Sequence, residues 1–415
     1  MNRRIGTAGV MRRGIVAVLA GVIVVAGCQK QVKIEKPDYL RQLPPGELAL
    51  RKITDPAQIP SMTIACYDAD YALQKAIGHS LSYLAKPSSQ QFFPYGEITH
   101  EQAVASLEAF AGLLDSGLRG HELEAKIREM FDVYISVGWD DAGTVLFTGY
   151  YTPIFDGSLT PTGVYKYPLY RQPADLVKSD TGEILGRKGP GGTYSPYPAR
   201  AELEASGQLK GLELVWLADP FEAYIAHVQG SAKIRLPDRQ LVTVGYVANN
   251  GHEYRSVGQR MVKEGKIAQE ELSLNRMIAY FKSHPTEVSK YVAENPRFVF
   301  FQRQDGDPRG SLNEPVTARR TIATDKAIYP RGCLAFLDTL LPQMSAGRPV
   351  QKKYTGFALD QDTGGAIRAP GRCDVYMGVG DEAGSLAGSV YQEGQLYYLF
   401  LKPTTGAAPP LEPTK

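Results

Sequence analysis

The chain has little of what several kinds of chemistry require. Its four cysteines, Cys28, Cys66, Cys333 and Cys373, form no C-x-x-C pair, and its six histidines, at 79, 100, 121, 227, 252 and 284, show no ligand spacing. A metal centre is therefore not expected, and no cofactor is. No G-x-S-x-G occurs, which argues against the nucleophile elbow of a serine hydrolase. Gly378-Val379-Gly380 with Gly384 looks superficially like a nucleotide loop, but it opens no βαβ unit and is read as turns. Charge of one sign is missing too: 46 basic residues stand against 44 acidic ones. Four of the arginines (3, 4, 12 and 13) fall in an N-terminal leader without acids, leaving 42 basic against 44 acidic. Such a balance offers no basic field to hold a nucleic acid. Tryptophan is scarce, 2 against 24 tyrosines and 42 glycines, the composition of a β-rich, turn-rich chain. At 415 residues and 43% hydrophobic, about two domains with a substantial core are expected.

The leader's apolar run, Ile15 to Val25, is too short to span a bilayer comfortably. It ends at Val25-Ala26-Gly27-Cys28, which resembles a bacterial lipobox. Residues 1–27 are thus expected to be a lipoprotein signal peptide, with Cys28 the lipidated N-terminus; an ordinary signal peptide with an incidental cysteine is the alternative. Gln29 resembles the residue that follows the lipidated cysteine in lipoproteins sorted to the outer membrane, facing the periplasm. Residues 28–60, with Pro37, Pro44, Pro45 and Pro56, read as a tether.

Three helical stripes follow: Leu73, Ile77, Leu81 and Leu84; a Thr99-x-x-Gln102 capping box before Val104, Leu107, Ala111 and Leu114; then Leu123, Ile127, Met130 and Tyr134. From Val145 the pattern turns to strands. Asp219-Pro220-Phe221-Glu222 opens a helix ending near Gly230, and a hairpin follows around Pro237-Asp238-Arg239. Short helices are expected between 257 and 293, and a loop at 305–310 marks a domain boundary. Strands at 317–323, 333–337, 355–359, 374–377 and 397–401 complete a C-terminal block expected to be all-β, and 403–415 read as a disordered tail. Cys333 and Cys373, both on expected strands, are the likeliest pair if a disulfide forms.

Within that block, Asp360-Gln361-Asp362-Thr363-Gly364-Gly365-Ala366-Ile367 leads to Arg372-Cys373-Asp374-Val375-Tyr376-Met377-Gly378. Alternation puts Asp374 and Tyr376 on one strand face and Cys373 and Val375 on the other. A strand that buries Cys and Val would present Asp and Tyr to a cleft. On the residues alone, Asp362 as a turn former and Asp374 as a solvated strand residue is an equal alternative. Alternation alone also puts Asp360 and Asp362 on one face.

These two segments resemble the aspartate-rich 3D domain of the membrane-bound lytic murein transglycosylase A family. Further blocks resemble the same family in order: Phe147 to Pro153, Val228 to Ser231, Asn250 to Gly258 and Asn295 to Phe301. The resemblance implies a mainly β fold with helices, a double-psi β-barrel domain built from 61–151 and 307–402. A second β-rich domain, 152–306, is inserted, with a glycan groove between the two. It implies a peptidoglycan lytic transglycosylase with Asp374 as acid and then base, and Asp362 orienting or tuning it. The loop between the two aspartates is about one residue longer than the family's. Tyr150, Tyr151, Gln229, Ser231 and Tyr254 lie in the matching blocks and suit contacts to a glycan strand; burial in the core is an equal prospect for any one tyrosine. Arg319 and Arg320 suit lactyl or peptide carboxylates, with surface solvation the plainer reading. Peptidoglycan and the outer membrane are the expected partners, with protein partners unknown. Two other readings remain at this point: a peptidoglycan glycoside hydrolase using Glu253, Glu314 or Asp325 as second carboxylate, and a non-catalytic cell-wall-binding lipoprotein. For the anchor, Cys28→Ser should yield soluble or unprocessed protein in cell fractionation; processed protein still in the outer membrane would reject it.

Overall fold

A computed structural model describes residues 37–179 and 183–403. The leader, Cys28, the first part of the expected tether and the tail from 404 lie outside those residues. The rest of the expected tether is not free. Ala49 is buried, and Leu50–Lys52 (β1) pairs antiparallel with Phe131–Ser136 (β2). Leu43, Leu50, Ile53 and Ile59 supply apolar side chains that pack on the core, and their burial outweighs the proline content.

Between these strands run Thr63–Tyr67 (α1), Tyr71–Leu84 (α2), His100–Asp115 (α3) and Gly120–Met130 (α4). The expected stripes form their buried faces: Leu73, Ile77 and Leu84 on α2, Leu107 and Leu114 on α3. Thr99 caps α3 by accepting from the Gln102 amide. The third stripe overruns its helix. Tyr134 lies on β2, because Phe131, Val133 and Ile135 favour a strand once the helix stops at Met130. Val145–Thr152 (β3) follows.

The central part carries Ile154–Ser158 (β4), Tyr167–Tyr170 (β5), Leu176–Lys178 (β6), Ile184–Lys188 (β7), Tyr194–Ser195 (β8), Arg200–Ser206 (α5) and Glu213–Leu217 (β9). Pro220–Gln229 (α6), Ser231–Arg235 (β10), Leu241–Asn249 (β11), Val257–Lys263 (α7), Leu274–Ser283 (α8), Val288–Val292 (α9) and Val299–Gln304 (β12) complete it. Asp219 caps α6 by accepting from the Phe221 and Glu222 amides, and Gly230 ends it in a left-handed conformation, as the sequence predicts. Six strands form one sheet in the order β12-β11-β10-β4-β9-β5, and β6-β7-β8 form a small second one.

The C-terminal part supplies Thr321–Ala323 (β13), Leu334–Ser345 (β14), Arg348–Asp362 (β15), Arg372–Val379 (β16), Asp381–Ala387 (α10) and Tyr391–Leu401 (β17). The strand order β17-β14-β15-β13-β16-β3 closes on itself because β3 also pairs with β17. The result is a closed six-stranded barrel in which β13–β15 and β16–β3 are parallel. The mainly β fold with a barrel and an inserted β-rich part is as expected. The block is not all-β, however. The glycines read as turns lead into α10, whose first turn holds Asp381 and Glu382, favourable at a helix N-terminus. That helix lies against Gly149 of β3, where any Cβ would stand 2.8 Å from the Ala387 carbonyl oxygen.

One core gathers side chains from 49–151 and 312–400, and a second gathers them from 155–301. Cys66, Cys333 and Cys373 are buried free thiols, so the expected Cys333–Cys373 pair does not form. The reason is topological: β15 and β13 separate β14 from β16. Asp360 is fully buried and ion-paired with Lys326, and also accepts from Thr324 Oγ1 and Tyr398 OH, both at 2.7 Å. Burial pushes the Asp360 carboxyl up and the Lys326 ammonium down, while each favours the other's charged form.

Candidate active site

β3 and β16 run parallel with Thr148 opposite Asp374 and Tyr150 opposite Tyr376. By the period of two, Arg372, Asp374 and Tyr376 share a face with Thr148, Tyr150 and Thr152. The other face holds Cys373, Val375 and Phe147, all fully buried in the barrel core. Asp374 is half-buried. Tyr376 is not open: it is 2% exposed, its hydroxyl 3.0 Å from Thr152 Oγ1.

Thr148 Oγ1 donates to Asp374 Oδ1, and Arg372 Nη2 donates to Thr148 Oγ1 at 3.0 Å. Burial raises the Asp374 pKa above the ordinary carboxylate value, against the opposing pull of Arg372 and the Thr148 hydrogen bond. Such a carboxyl keeps its proton to higher pH than a solvated one, as a general acid must.

Asp362 closes β15. Pairing with β13 slips by one residue at Gln361, from Ile322–Asp360 to Ala323–Asp362. An extra residue of this kind re-aims the side chains beyond it. Gln361 itself turns to α2, donating to the Ala76 carbonyl (2.8 Å) and Ser80 Oγ (3.0 Å). Asp360 keeps its buried lysine, whereas Asp362 meets Tyr150, whose hydroxyl donates to Oδ2 at 2.8 Å. The amides of Ser311 and Thr363 donate to Oδ1, each at 2.8 Å. Ser311 reaches it because Gly310 packs against the same turn, where a Cβ would lie 2.8 Å from the Gln361 carbonyl oxygen. Burial raises the Asp362 pKa, with the Tyr150 hydrogen bond the largest opposing influence.

The five expected substrate contacts are divided. Tyr150 is half-buried, tilted against Tyr376 with ring centroids 5.1 Å apart, and joined to Asp362. Tyr151 points the other way into the core, 7% exposed, and its amide donates to Gln229 Oε1 at 3.1 Å. Ser231 is buried with its hydroxyl 3.1 Å from Thr152 Oγ1. Gln229 and Ser231 thus tie the insert to β3. Tyr254, from the insert, is half-buried and close enough to Arg372 to feel its charge. Arg319 and Arg320 are spent on structure. Arg319 donates to the Pro342 carbonyl (2.8 Å), and Arg320, buried, donates to the Phe357 and Asp68 carbonyls.

Of the carboxylates considered for a second catalytic role, Glu314 is ion-paired with Lys86 at 2.5 Å and accepts from Ser82. Asp325 accepts from the Ala369 and Ala327 amides. Glu253 is exposed. A separate cavity of about 150 Å³ lies between β3, α6, α8 and α10, lined among others by Tyr151, Phe221, Glu222, Phe281 and Asp381. Burial, then the charge of Asp219, pushes Glu222 up to about 7. Neither Asp374 nor Asp362 lines this cavity.

Thr148 and Arg372 carry no motif signal of their own, yet they contact Asp374 directly or through one hydrogen bond. Both stand two residues from recognised positions, Tyr150 and Asp374, so strand alternation was the signal that could have found them.

The MltA-specific insert domain matches residues 146–302 and the 3D domain matches 320–400. An insert of this kind joined to such a barrel defines a lytic transglycosylase. The membrane-bound lytic murein transglycosylase A of Escherichia coli K12 is 30% identical over 279 residues, covering 66% of this chain and 71% of that protein. A membrane-bound lytic murein transglycosylase from Agrobacterium tumefaciens superposes with a TM-score of 0.69 at 26% identity, covering 85% of this chain and 98% of the other. E. coli MltA with bound chitohexaose gives 0.66 at 25%, covering 89% and 100%. The chain belongs to the membrane-bound lytic murein transglycosylase A family, and is an enzyme of the lytic murein transglycosylase class.

Tyr150→Phe keeps the ring and removes only the donor to Asp362. A hydrogen bond to a charged group contributes roughly 1.5–3 kcal/mol, so kcat should fall about ten-fold or more with KM little changed. The reverse pattern in steady-state kinetics would mean that the hydroxyl binds substrate instead of holding Asp362.

Proposed function

We propose that the enzyme cleaves the β-1,4 bond between N-acetylmuramic acid and N-acetylglucosamine in peptidoglycan without water, leaving 1,6-anhydro-N-acetylmuramic acid ends. Asp374 is the acid and then the base. The observation that carries this reading is the contrast between the two aspartates. Asp374 offers a half-buried carboxyl with a raised pKa and one free oxygen among the described contacts. Asp362 has both oxygens occupied by three donors. A carboxylate so engaged suits an orienting or electrostatic role and not attack on the sugar or activation of water.

One carboxyl is enough if the nucleophile is already in place. Asp374 gives its proton to the glycosidic oxygen as the bond to C1 of N-acetylmuramic acid breaks, and N-acetylglucosamine departs. The C6 hydroxyl of the same muramic acid then attacks C1 through an oxocarbenium-like state and returns a proton to Asp374. Intramolecular attack carries effective molarities of roughly 10⁵ M or more, equivalent to about 7 kcal/mol of barrier. That advantage replaces the second carboxylate of an ordinary glycosidase.

The glycan strand is read as lying between a barrel domain, 61–151 with 307–402, and an inserted domain, 152–306. Tyr254 and the ring of Tyr150 are the contacts best placed for it. Tyr151, Gln229 and Ser231 would shape the site from behind. The chitohexaose held by the E. coli relative supports an N-acetylglucosamine-type polymer as ligand. A lipid on Cys28 would hold the enzyme at the outer membrane facing the periplasm, in keeping with the membrane-bound relatives.

Digestion of purified sacculi in ¹⁸O-water, read by mass spectrometry, tests the reaction. Anhydro ends without label are expected. Reducing ends carrying ¹⁸O would mean hydrolysis with a second carboxylate. In the same assay Asp362→Asn should slow release less than a substitution at Asp374.

A further inference from the structure

Two groups beside Asp374 have no part in the chemistry above. Thr148 lies directly opposite it in the β16–β3 register, and Arg372, two residues earlier on β16, shares its face. A guanidinium has no acceptor, so in the 3.0 Å contact with Arg372 Nη2 the Thr148 hydroxyl accepts. Its single proton is thereby turned to its other partner, Oδ1 of Asp374. Among the described residues Oδ2 of Asp374 takes no hydrogen bond, and it is not sealed away from solvent. Arg372 itself is not saturated: its Nε is buried without a partner. A guanidinium left partly unpaired beside a catalytic carboxyl calls for a reason, and its hold on Thr148 supplies one.

We propose that Thr148 and Arg372 are positioning residues, which hold Asp374 by Oδ1 and so place its working proton on Oδ2. This rests on the reading of Asp374 as acid and base. In the first step the Oδ2 proton passes to the departing O4 of N-acetylglucosamine, which also takes the electron pair of the C1–O bond. In the second, C1 bonds to O6 and the O6 proton goes to Oδ2, so the enzyme ends as it began. Thr148 keeps its proton throughout. Among the described residues, Tyr254 of the insert and Tyr39 feel the charge of Arg372. Tyr150 on β3 and the Cys373 thiol on the opposite face of β16 both feel the charge of Asp374, and β13 faces it with Ala323.

The pH profile of kcat/KM on purified sacculi reads this arrangement. Its alkaline limb marks the loss of the acid's proton. A hydrogen bond to the ionised carboxylate and a nearby cation both favour ionisation, so removing either weakens the acid. Thr148→Val should move the limb to higher pH by about one pH unit. Arg372→Met should move it the same way, and Thr148→Ser should restore it. A merely structural role would lower the rate or the melting temperature without moving the limb. A folded Thr148→Val enzyme with an unmoved limb overturns the proposal, as does a limb that Thr148→Ser fails to restore. If Thr148→Val does not fold, Arg372→Met carries the same test. Asp374→Asn assayed alongside separates the two failures. Turnover that survives it removes the reading of Asp374, whereas loss of turnover there with unmoved limbs elsewhere removes only the positioning pair.

Discussion

The site depends on β3 having two partners. Val145–Thr152 pairs in parallel with β16 and antiparallel with β17, closing a barrel whose other strands all begin at Thr321 or later. The register of the first pairing sets Thr148 against Asp374, and the same strand then delivers Tyr150 to Asp362. The contacts of Thr148 with Asp374 and of Tyr150 with Asp362 therefore depend on barrel closure, whereas the Ser311 and Thr363 amides reach Asp362 without β3. α10 completes the arrangement by packing on Gly149, a position where a side chain would meet backbone. Immediately after β3 the chain leaves for the insert, which returns Gln229 and Ser231 to the same strand end.

The slip at Gln361 gives the two neighbouring aspartates different surroundings. Without it, Asp360 and Asp362 would share a face and compete for one environment. With it, Asp360 is committed to Lys326, Thr324 and Tyr398 inside the barrel. Losing one partner of such a buried pair typically costs about 3–5 kcal/mol, which makes Asp360 a structural carboxylate. Asp362, by contrast, sits where Tyr150 and two amides fix it against β3.

Much of this was legible in the sequence because the signals were local. Asp219-Pro220 with Gly230 specified a helix through its caps, and Cys373 and Val375 marked the inward face of β16. The parts that were not legible depend on distant chain segments. Nothing near Leu50 shows that β2 will accept it as a neighbouring strand, and nothing near Asp381 shows that Gly149 leaves room for a helix. Strand alternation could not separate Asp360 from Asp362, since a slip in register breaks the rule that alternation assumes. Tyr151 suits a glycan contact and Tyr376 a cleft face in the sequence, but both are buried, because an aromatic ring serves a core equally well.

The central claim is that a single half-buried carboxyl holds its proton long enough to act as an acid. Its ionisation can be followed directly by carbon-13 NMR of labelled aspartate carboxyls, with the Asp374 signal assigned by its absence in Asp374→Asn. A titration midpoint clearly above the ordinary value of about 3.9 is expected, since burial outweighs the pull of Arg372 and Thr148. A midpoint at or below that value would leave Asp374 ionised when it must deliver a proton, and would contradict the mechanism.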